Sequence, residues 1–409
     1  MKFPHLFAVP DDVDASQKRL LLLLGAAFFI GQYDMTLLTL ALPDVQATFS
    51  IAEDRLGNMI AAARVGAIPA IVLALMADRM GRRRILLATL VGLSIFATAS
   101  GFAQTATQFV MFQFAARMFA TLDEILAITL ALEMLPAGRR GWGVGFLAAM
   151  GGLGSGLGAF LYGQVEAVPG GWRGLYVLGG AALLYVAWMR RTLPESVMFA
   201  ASSDTRAGTG LLRPLREIFF SHRRSLAAVA LIAGFFWFPA SASIYFMSKY
   251  LQELHQYSPG EVSTLFLVAG VAAIFGNIMA GKVSDRVGRR PTIAVVVVVN
   301  SAAFITFYNS GGLVLPIAWV LALFTYFAGE VVIGAFSGEL FPTSCRSTAA
   351  MLRMISGVCA AALGLIAEGL LYNVLGSHAA ALSLLCLVSL LALPAIKWLL
   401  RETAHAPLQ

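Results

Sequence analysis

The sequence predicts an all-α integral membrane protein, with twelve transmembrane helices in two pseudosymmetric six-helix bundles. Composition, the number of long apolar runs and a long-offset repeat carry that expectation. Of 409 residues only 12% are Asp, Glu, Lys or Arg and 59% are apolar, and the mean hydropathy is +0.79. Soluble proteins carry about 25% charged residues. So little charge cannot cover a water-facing surface of this size. A soluble enzyme, a disordered chain and a nucleic-acid binder are therefore excluded, and lipid becomes the solvent of the excess apolar surface.

A helix needs roughly 20 apolar residues to cross about 30 Å of hydrocarbon. Twelve such runs follow one another, here named spans 1 to 12: Leu20–Leu42, Leu56–Ala77, Ile85–Ala103, Phe109–Leu135, Trp142–Val165, Trp172–Leu193, Ser225–Met247, Val262–Ala280, Pro291–Tyr308, Leu313–Gly338, Ser347–Leu371 and His378–Ile396. Strands would show short alternating segments, and unpaired backbone cannot face lipid, so the runs read as helices. The polar first 17 residues include Asp11, Asp12 and Asp14. Span 1 is too long for a signal peptide and lacks a small-residue cleavage site, so it is expected to stay in the mature protein. Cys345, Cys359 and Cys386 fall in or beside apolar runs and imply no disulfide framework.

With a cytoplasmic N-terminus, 24 of the 29 Lys and Arg gather on the cytoplasmic side, while Arg55, Arg173 and Lys249 lie opposite and Arg64 and Arg117 lie within spans. The positive-inside rule then places both termini in the cytoplasm. The absence of any Asn-x-Ser/Thr sequon favours a bacterial inner membrane. A polar stretch with Pro194 and Pro214 divides the chain into an N-terminal bundle (1–193), a cytoplasmic linker (194–224) and a C-terminal bundle (225–409).

The halves repeat. Asp78-Arg79-Met80-Gly81-Arg82-Arg83 returns as Asp285-Arg286-Val287-Gly288-Arg289-Arg290 at an offset of 207. Glu124 and Glu133 return as Glu330 and Glu339, and Pro136 as Pro342, each at 206, and Arg139 as Arg346 at 207. A constant offset across several spans marks two copies in the same orientation, the parallel-repeat design built around a midplane binding site.

The doubled Asp-Arg-x-Gly-Arg loop, Glu339-Leu-Phe-Pro342 with Arg346, and Gly171-Trp172-Arg173 resemble the major facilitator superfamily over essentially the whole chain. Ala74 departs from the glycine that usually begins the first loop motif. Leu193-Pro194-Glu195-Ser196 looks like the sugar-porter signature, yet span 7 lacks that branch's paired glutamines and span 10 its Gly-Pro-x-x-Trp. Tyr33-Asp34 with Leu42-Pro43-Asp44, and Arg117 seven residues before Glu124, is similar to the sialin-related and spinster-like branches, although Met35 stands where those carry Arg. The resemblance implies alternating access and a cytoplasmic gate made by Asp78, Arg79, Gly81, Arg82, Asp285, Arg286, Gly288 and Arg289 with Glu133, Glu339 and Arg346. Both loop aspartates are suited to capping neighbouring helix N-termini and pairing across the halves.

Six ionisable side chains lie well inside spans: Asp34, Arg64, Arg117, Asp123, Glu124 and Glu330. A charge at mid-bilayer costs at least about 2.5 to 3.5 kcal/mol, which makes each a functional-site hypothesis. Asp34, Arg64 and Arg117 each sit eight residues from the outer end of their span, roughly 12 Å deep at 1.5 Å per residue. They are placed to pair. Arg117 and Glu124 return to one face after seven residues, while Asp123 points about 100° away. Asp34 and Glu124 are expected to take up protons, modulated by Arg117. Substrate contacts are expected from Tyr33, Arg64, Arg117, Trp237, Tyr245, Asn277, Tyr326 and Glu330.

The glycines of span 5, including Gly151, Gly154 and Gly158, allow close helix contact. Leu157 follows Gly156 where proton antiporters of the family place Pro, which favours symport. Pro239 permits span 7, with its aromatic run Phe235–Phe238, to bend. Trp142, Trp172 and Trp398 read as interface anchors. The five histidines show no metal-ligand spacing, and no phosphate loop or nucleophile elbow occurs. The expectation is a non-enzymatic secondary transporter without cofactor or metal. It acts as a monomer on protons and a small polar organic solute, an organic or sugar acid being favoured by the two buried arginines. The alternatives are a proton-driven exporter of drugs, lipids or metabolites and a non-transporting substrate sensor.

Overall fold

The computed structural model describes residues 14–80, 82–135, 139–190, 212–342 and 345–404. Every regular element among them is helical. Span 1 begins at Ala15, before its apolar run, because Asp14 and Gln17 cap it reciprocally: Gln17 N donates to Asp14 Oδ1 at 2.8 Å and Asp14 N to Gln17 Oε1 at 3.1 Å. It ends at Leu40 and is followed by a short helix, Leu42–Phe49, that the apolar pattern did not announce. Span 2 is broken at Gly66 into Glu53–Val65 and Ala67–Met80. A β-carbon there would strike the Phe114 carbonyl, so the glycine lets spans 2 and 4 approach backbone to backbone.

The remaining N-terminal spans are Arg82–Gly101, Ala106–Met134, Arg140–Tyr162 and Trp172–Arg190. Within the segment expected to be a linker, Leu212–Ser221 is a helix, and its Ile218 is buried in the C-terminal core. Span 7 (Arg223–Tyr245) runs on through Met247–Lys249 and a π-turn at Tyr250–Leu254, well past its expected end. Spans 8 to 11 are Pro259–Val287, Arg289–Asn309, Val314–Glu339 and Arg346–Leu375; span 12 is His378–Val388 and Ala392–Trp398 joined by a 3-10 turn. Among the described residues eight helices are individually long and apolar enough to cross a membrane. Span 2 falls short because its break leaves pieces of 13 and 14 residues.

The repeat also appears in the packing. Gly154 of span 5 sits where a β-carbon would meet the Phe29 carbonyl of span 1, and Gly364 of span 11 meets the Phe238 carbonyl of span 7 in the same way. Two small residues thus bring equivalent helix pairs together in each half.

The even number of spans puts the start of span 1 and the end of span 12 on one face, called the termini face. At the opposite, far face, the halves are knit together. One large buried cluster includes Leu40, Val45, Leu56 and Tyr162 from the first half with Phe246, Leu251, Val262 and Leu365 from the second. The clusters toward the termini face belong to one half each. Far-face hydrogen bonds between halves run from Ser248 Oγ to Leu40 O (2.6 Å), Gln252 Nε2 to Tyr162 Oη (2.8 Å) and Ser263 Oγ to Ala159 O (2.5 Å).

Candidate intramembrane charge site

Asp34, Arg64 and Arg117 do converge. With Met35, Leu38, Gln113, Ala120 and Tyr245 they line one small cavity of about 10 Å³, room for about one water. The break at Gly66 ends the first piece of span 2 one residue after Arg64, so that side chain sits in the last turn, facing the interface. There Arg64 Nη1 donates to Tyr245 Oη at 3.3 Å, and its guanidinium carbon lies 5.4 Å from the tyrosine ring centre. Arg117 Nη1 abuts Met35 Sδ. Both arginines keep a buried Nε with no hydrogen-bond partner. The expected Asp34–Arg117 ion pair is not formed: the two share a cavity wall, and among the described residues no ion pair joins them.

Glu124 lines a second cavity of about 20 Å³ with Gly31, Gln32, Met35, Ala120 and Asp123. Met35 and Ala120 lie on both cavities, so a thioether and a methyl group separate Asp34 from Glu124. Asp123 also borders this cavity, while its carboxylate accepts from Thr89 Oγ1 of span 3 at 3.3 Å.

In the second half, Trp237 Nε1 donates to the Glu330 carboxylate, and Arg353 sits 5.7 Å from the Trp237 ring centre. Tyr326 stacks on Phe236 at 5.9 Å and 8°. Gly329 and Gly357 leave the spaces filled by the Phe236 and Trp237 rings. Arg353 and Arg64 are the cations in electrostatic reach of Glu330. Arg353 is one of the 24 basic residues that the charge count assigns to the cytoplasmic side, yet it lies two turns inside span 11 with a buried, unpartnered Nε. Its place inside the apolar run after Ser347 was the available signal.

Two expected contacts stand apart. Tyr33 is buried and donates to the Leu175 carbonyl at 2.9 Å, bracing span 1 against span 6. Asn277 lines neither cavity.

Of the expected cytoplasmic gate, Gly81 and the side chains of Asp78, Arg79, Arg82 and Arg346 lie outside the described residues. Arg289 pairs with Asp285 at 2.6 Å and with both oxygens of Glu339 at 2.8 and 3.2 Å. Among the described residues, Asp285 makes its ion pair with Arg289 of its own half. Helix capping falls to Glu402, which accepts from the Arg289 and Arg290 backbone N–H groups at 2.7 and 3.1 Å at the start of span 9. Arg286 is exposed, Gly288 adopts φ +114° at the turn and Glu133 is half-buried in the last turn of span 4. Arg173 instead clasps the end of span 3, donating to the Gly101 and Ala103 carbonyls at 2.9 and 2.6 Å.

Two helical halves around buried charges define a multi-pass integral membrane protein of the solute-transporter class. The profile of the Major Facilitator Superfamily matches residues 24–334 and 226–409, and the chain belongs to that family. It is a transporter of small molecules, not an enzyme. Among known relatives, the cis,cis-muconate transport protein of Acinetobacter baylyi is 27% identical over 84% of this chain and 86% of its own. The probable 4-methylmuconolactone transporter of Cupriavidus pinatubonensis is 24% identical over 88% and 85%. The inward-open structure of the xylose transporter XylE of E. coli superposes with a TM-score of 0.77 at 16% identity, covering 96% of this chain and 98% of that one.

Proposed function

We propose that the protein is a proton-coupled symporter of a small organic carboxylate. The half made by residues 1–193 and the half made by residues 225–409 rock about the charge site, joined by the 194–224 linker, in a bacterial inner membrane with both termini cytoplasmic. The observation that carries the substrate class is the pair of buried, unpartnered Nε groups on Arg64 and Arg117 beside one cavity. A buried donor without a partner is costly, and a carboxylate is the ligand that guanidinium geometry matches best. The muconate and muconolactone transporters among its relatives support an organic acid.

Asp34 and Glu124 are the proton carriers in this reading. The buried Asp34 carboxyl and the half-buried Glu124 carboxyl each lie against a cavity shared with Arg117 or Gln32, so the charge state of each follows whether water, substrate or closed protein faces it. Tyr245, on the second half, reports substrate occupancy to Arg64. Proteoliposomes with an imposed pH gradient test the reading. Labelled muconate or a comparable carboxylate accumulates against its gradient when the outside is acid, and Asp34→Asn or Glu124→Gln abolishes accumulation while leaving exchange. Efflux driven by inward proton flow overturns the direction, and normal accumulation by both variants overturns the assignment.

A further inference from the structure

His378 opens span 12 at the far face and carries an acid on either side. Its Nδ1 lies 2.5 Å from Glu368 Oε1 of span 11, and its Nε2 lies 2.9 Å from Glu53 Oε2 of span 2. Both neighbouring atoms are carboxylate oxygens, which accept only. A neutral imidazole has a single N–H, so the arrangement holds one proton more than a neutral histidine between two carboxylates. Glu368 is fully buried and its second oxygen has no partner, so its charge leans on that proton.

Glu53 and His378 belong to different halves. We propose that His378, Glu368 and Glu53 form a second proton-binding site, filled when the halves meet at the far face and emptied when they part. The inference uses alternating access but not the identity of the substrate. In the joined state Glu53 supplies the second acceptor. Once it leaves with the first half, His378 needs only one N–H to satisfy Glu368, and the extra proton departs to water. An adjoining cavity of about 340 Å³, lined by Glu53, Lys249, Glu253 and His378, borders the cluster.

The other groups around the imidazole fit this cycle. From span 7, Lys249 is buried and sits 3.1 Å from Glu53, 2.6 Å from Glu253 and 2.6 Å from Gln46. Phe246 packs 4.8 Å from the imidazole centre, and Tyr372 of span 11 stacks on it at 4.2 Å. From span 2, Asp54 adds a carboxylate one residue beyond Glu53. Besides Asp54, three acids, Glu53, Glu253 and Glu368, contact Lys249 or His378 directly. When the halves separate, Lys249 keeps Glu253 four residues away, whereas His378 loses one of its two acids. The histidine is the member whose protonation changes with the motion. The joined state binds more protons, so acid favours it: falling pH closes the far face.

The test uses the full-length protein in liposomes without substrate, so it stands even if the carboxylate reading fails. Spin labels at Thr107→Cys and Leu313→Cys, exposed far-face positions in opposite halves, report joined and parted populations between about pH 5 and 8. The background carries Cys359→Ala with Asp34→Asn and Glu124→Gln, which removes the other proposed proton carriers. The joined-to-parted ratio is expected to rise as pH falls, by up to about tenfold per unit, the limit for one proton. His378→Gln is expected to flatten that slope. Glu53→Gln, which keeps the His378–Glu368 pair but weakens the inter-half acceptor, is expected to reduce it as well. A His378→Gln protein with an unchanged slope, or a background protein with no slope, overturns the proposal; a parted population that rises equally at all pH values assigns the cluster a latch role without protons and overturns it too.

Discussion

Glu124 and Glu330 occupy the same position in the repeated halves, and their surroundings differ. Glu124 edges a cavity large enough for a water, and among the described residues no side chain hydrogen-bonds it. Glu330 is held by the Trp237 indole N–H, with Arg353 behind that ring and close-packed aromatics alongside. Duplication supplied one carboxyl per half. The first half left it beside a small cavity, and the second packed it against a fixed donor. A proton carrier needs the former, since a group that exchanges protons must meet a changing environment, whereas a carboxyl with a fixed donor serves to hold shape.

The largest contrast between them is expected in coupling. Glu124→Gln removes concentrative uptake altogether, while Glu330→Gln retains it; uptake under an imposed pH gradient reads both, and the reverse pattern would exchange their roles. Next comes Arg117→Gln. Losing charge-assisted hydrogen bonds to a substrate carboxylate costs about 1.5 to 3 kcal/mol, so the half-saturation concentration rises on the order of 10- to 100-fold. Initial-rate measurements check this.

In the second half the effect falls on stability. Trp237→Phe strips the donor from a half-buried carboxyl and lowers the unfolding free energy by about 1 kcal/mol, visible as a lower melting temperature in detergent with substrate affinity nearly unchanged. The smallest effect sits at the termini face. Glu402→Ala removes the acceptor at the start of span 9 and costs about 1 kcal/mol. Partial burial works against ionisation of Glu402, but backbone donors from Ala404, Arg289, Arg290 and Thr403 outweigh it and hold its carboxyl below the usual range. With the folded value depressed, its contribution is fully present above about pH 4.3, the unperturbed glutamate value. It fades as pH falls through the folded value, so melting curves of the wild type and the variant converge in acid.

Much of this was legible beforehand. Apolar runs placed the spans, and depth arithmetic brought Asp34, Arg64 and Arg117 to one layer, where the structure finds them around one cavity. Hydropathy could not show the break at Gly66, because that break depends on the Phe114 carbonyl of another span. Arg353 escaped because a charge two turns inside a span looks like a loop charge when only run ends are judged. Lys249 and His378 stand at the ends of different spans, and nothing in the sequence signals that Glu53 meets them, since only the meeting of the two halves brings it there. Periodicity describes one helix at a time, and these contacts are made between helices far apart in sequence.

The grip of Glu402 on the first turn of span 9 has a practical consequence for anyone building on this scaffold. A fluorescent reporter joined directly after Ala404 is fastened to the second half by the Glu402 carboxylate and the Thr403 hydroxyl bonded to Glu339. It follows that half with little swing of its own, which turns the tail into a stiff mount for optical readout.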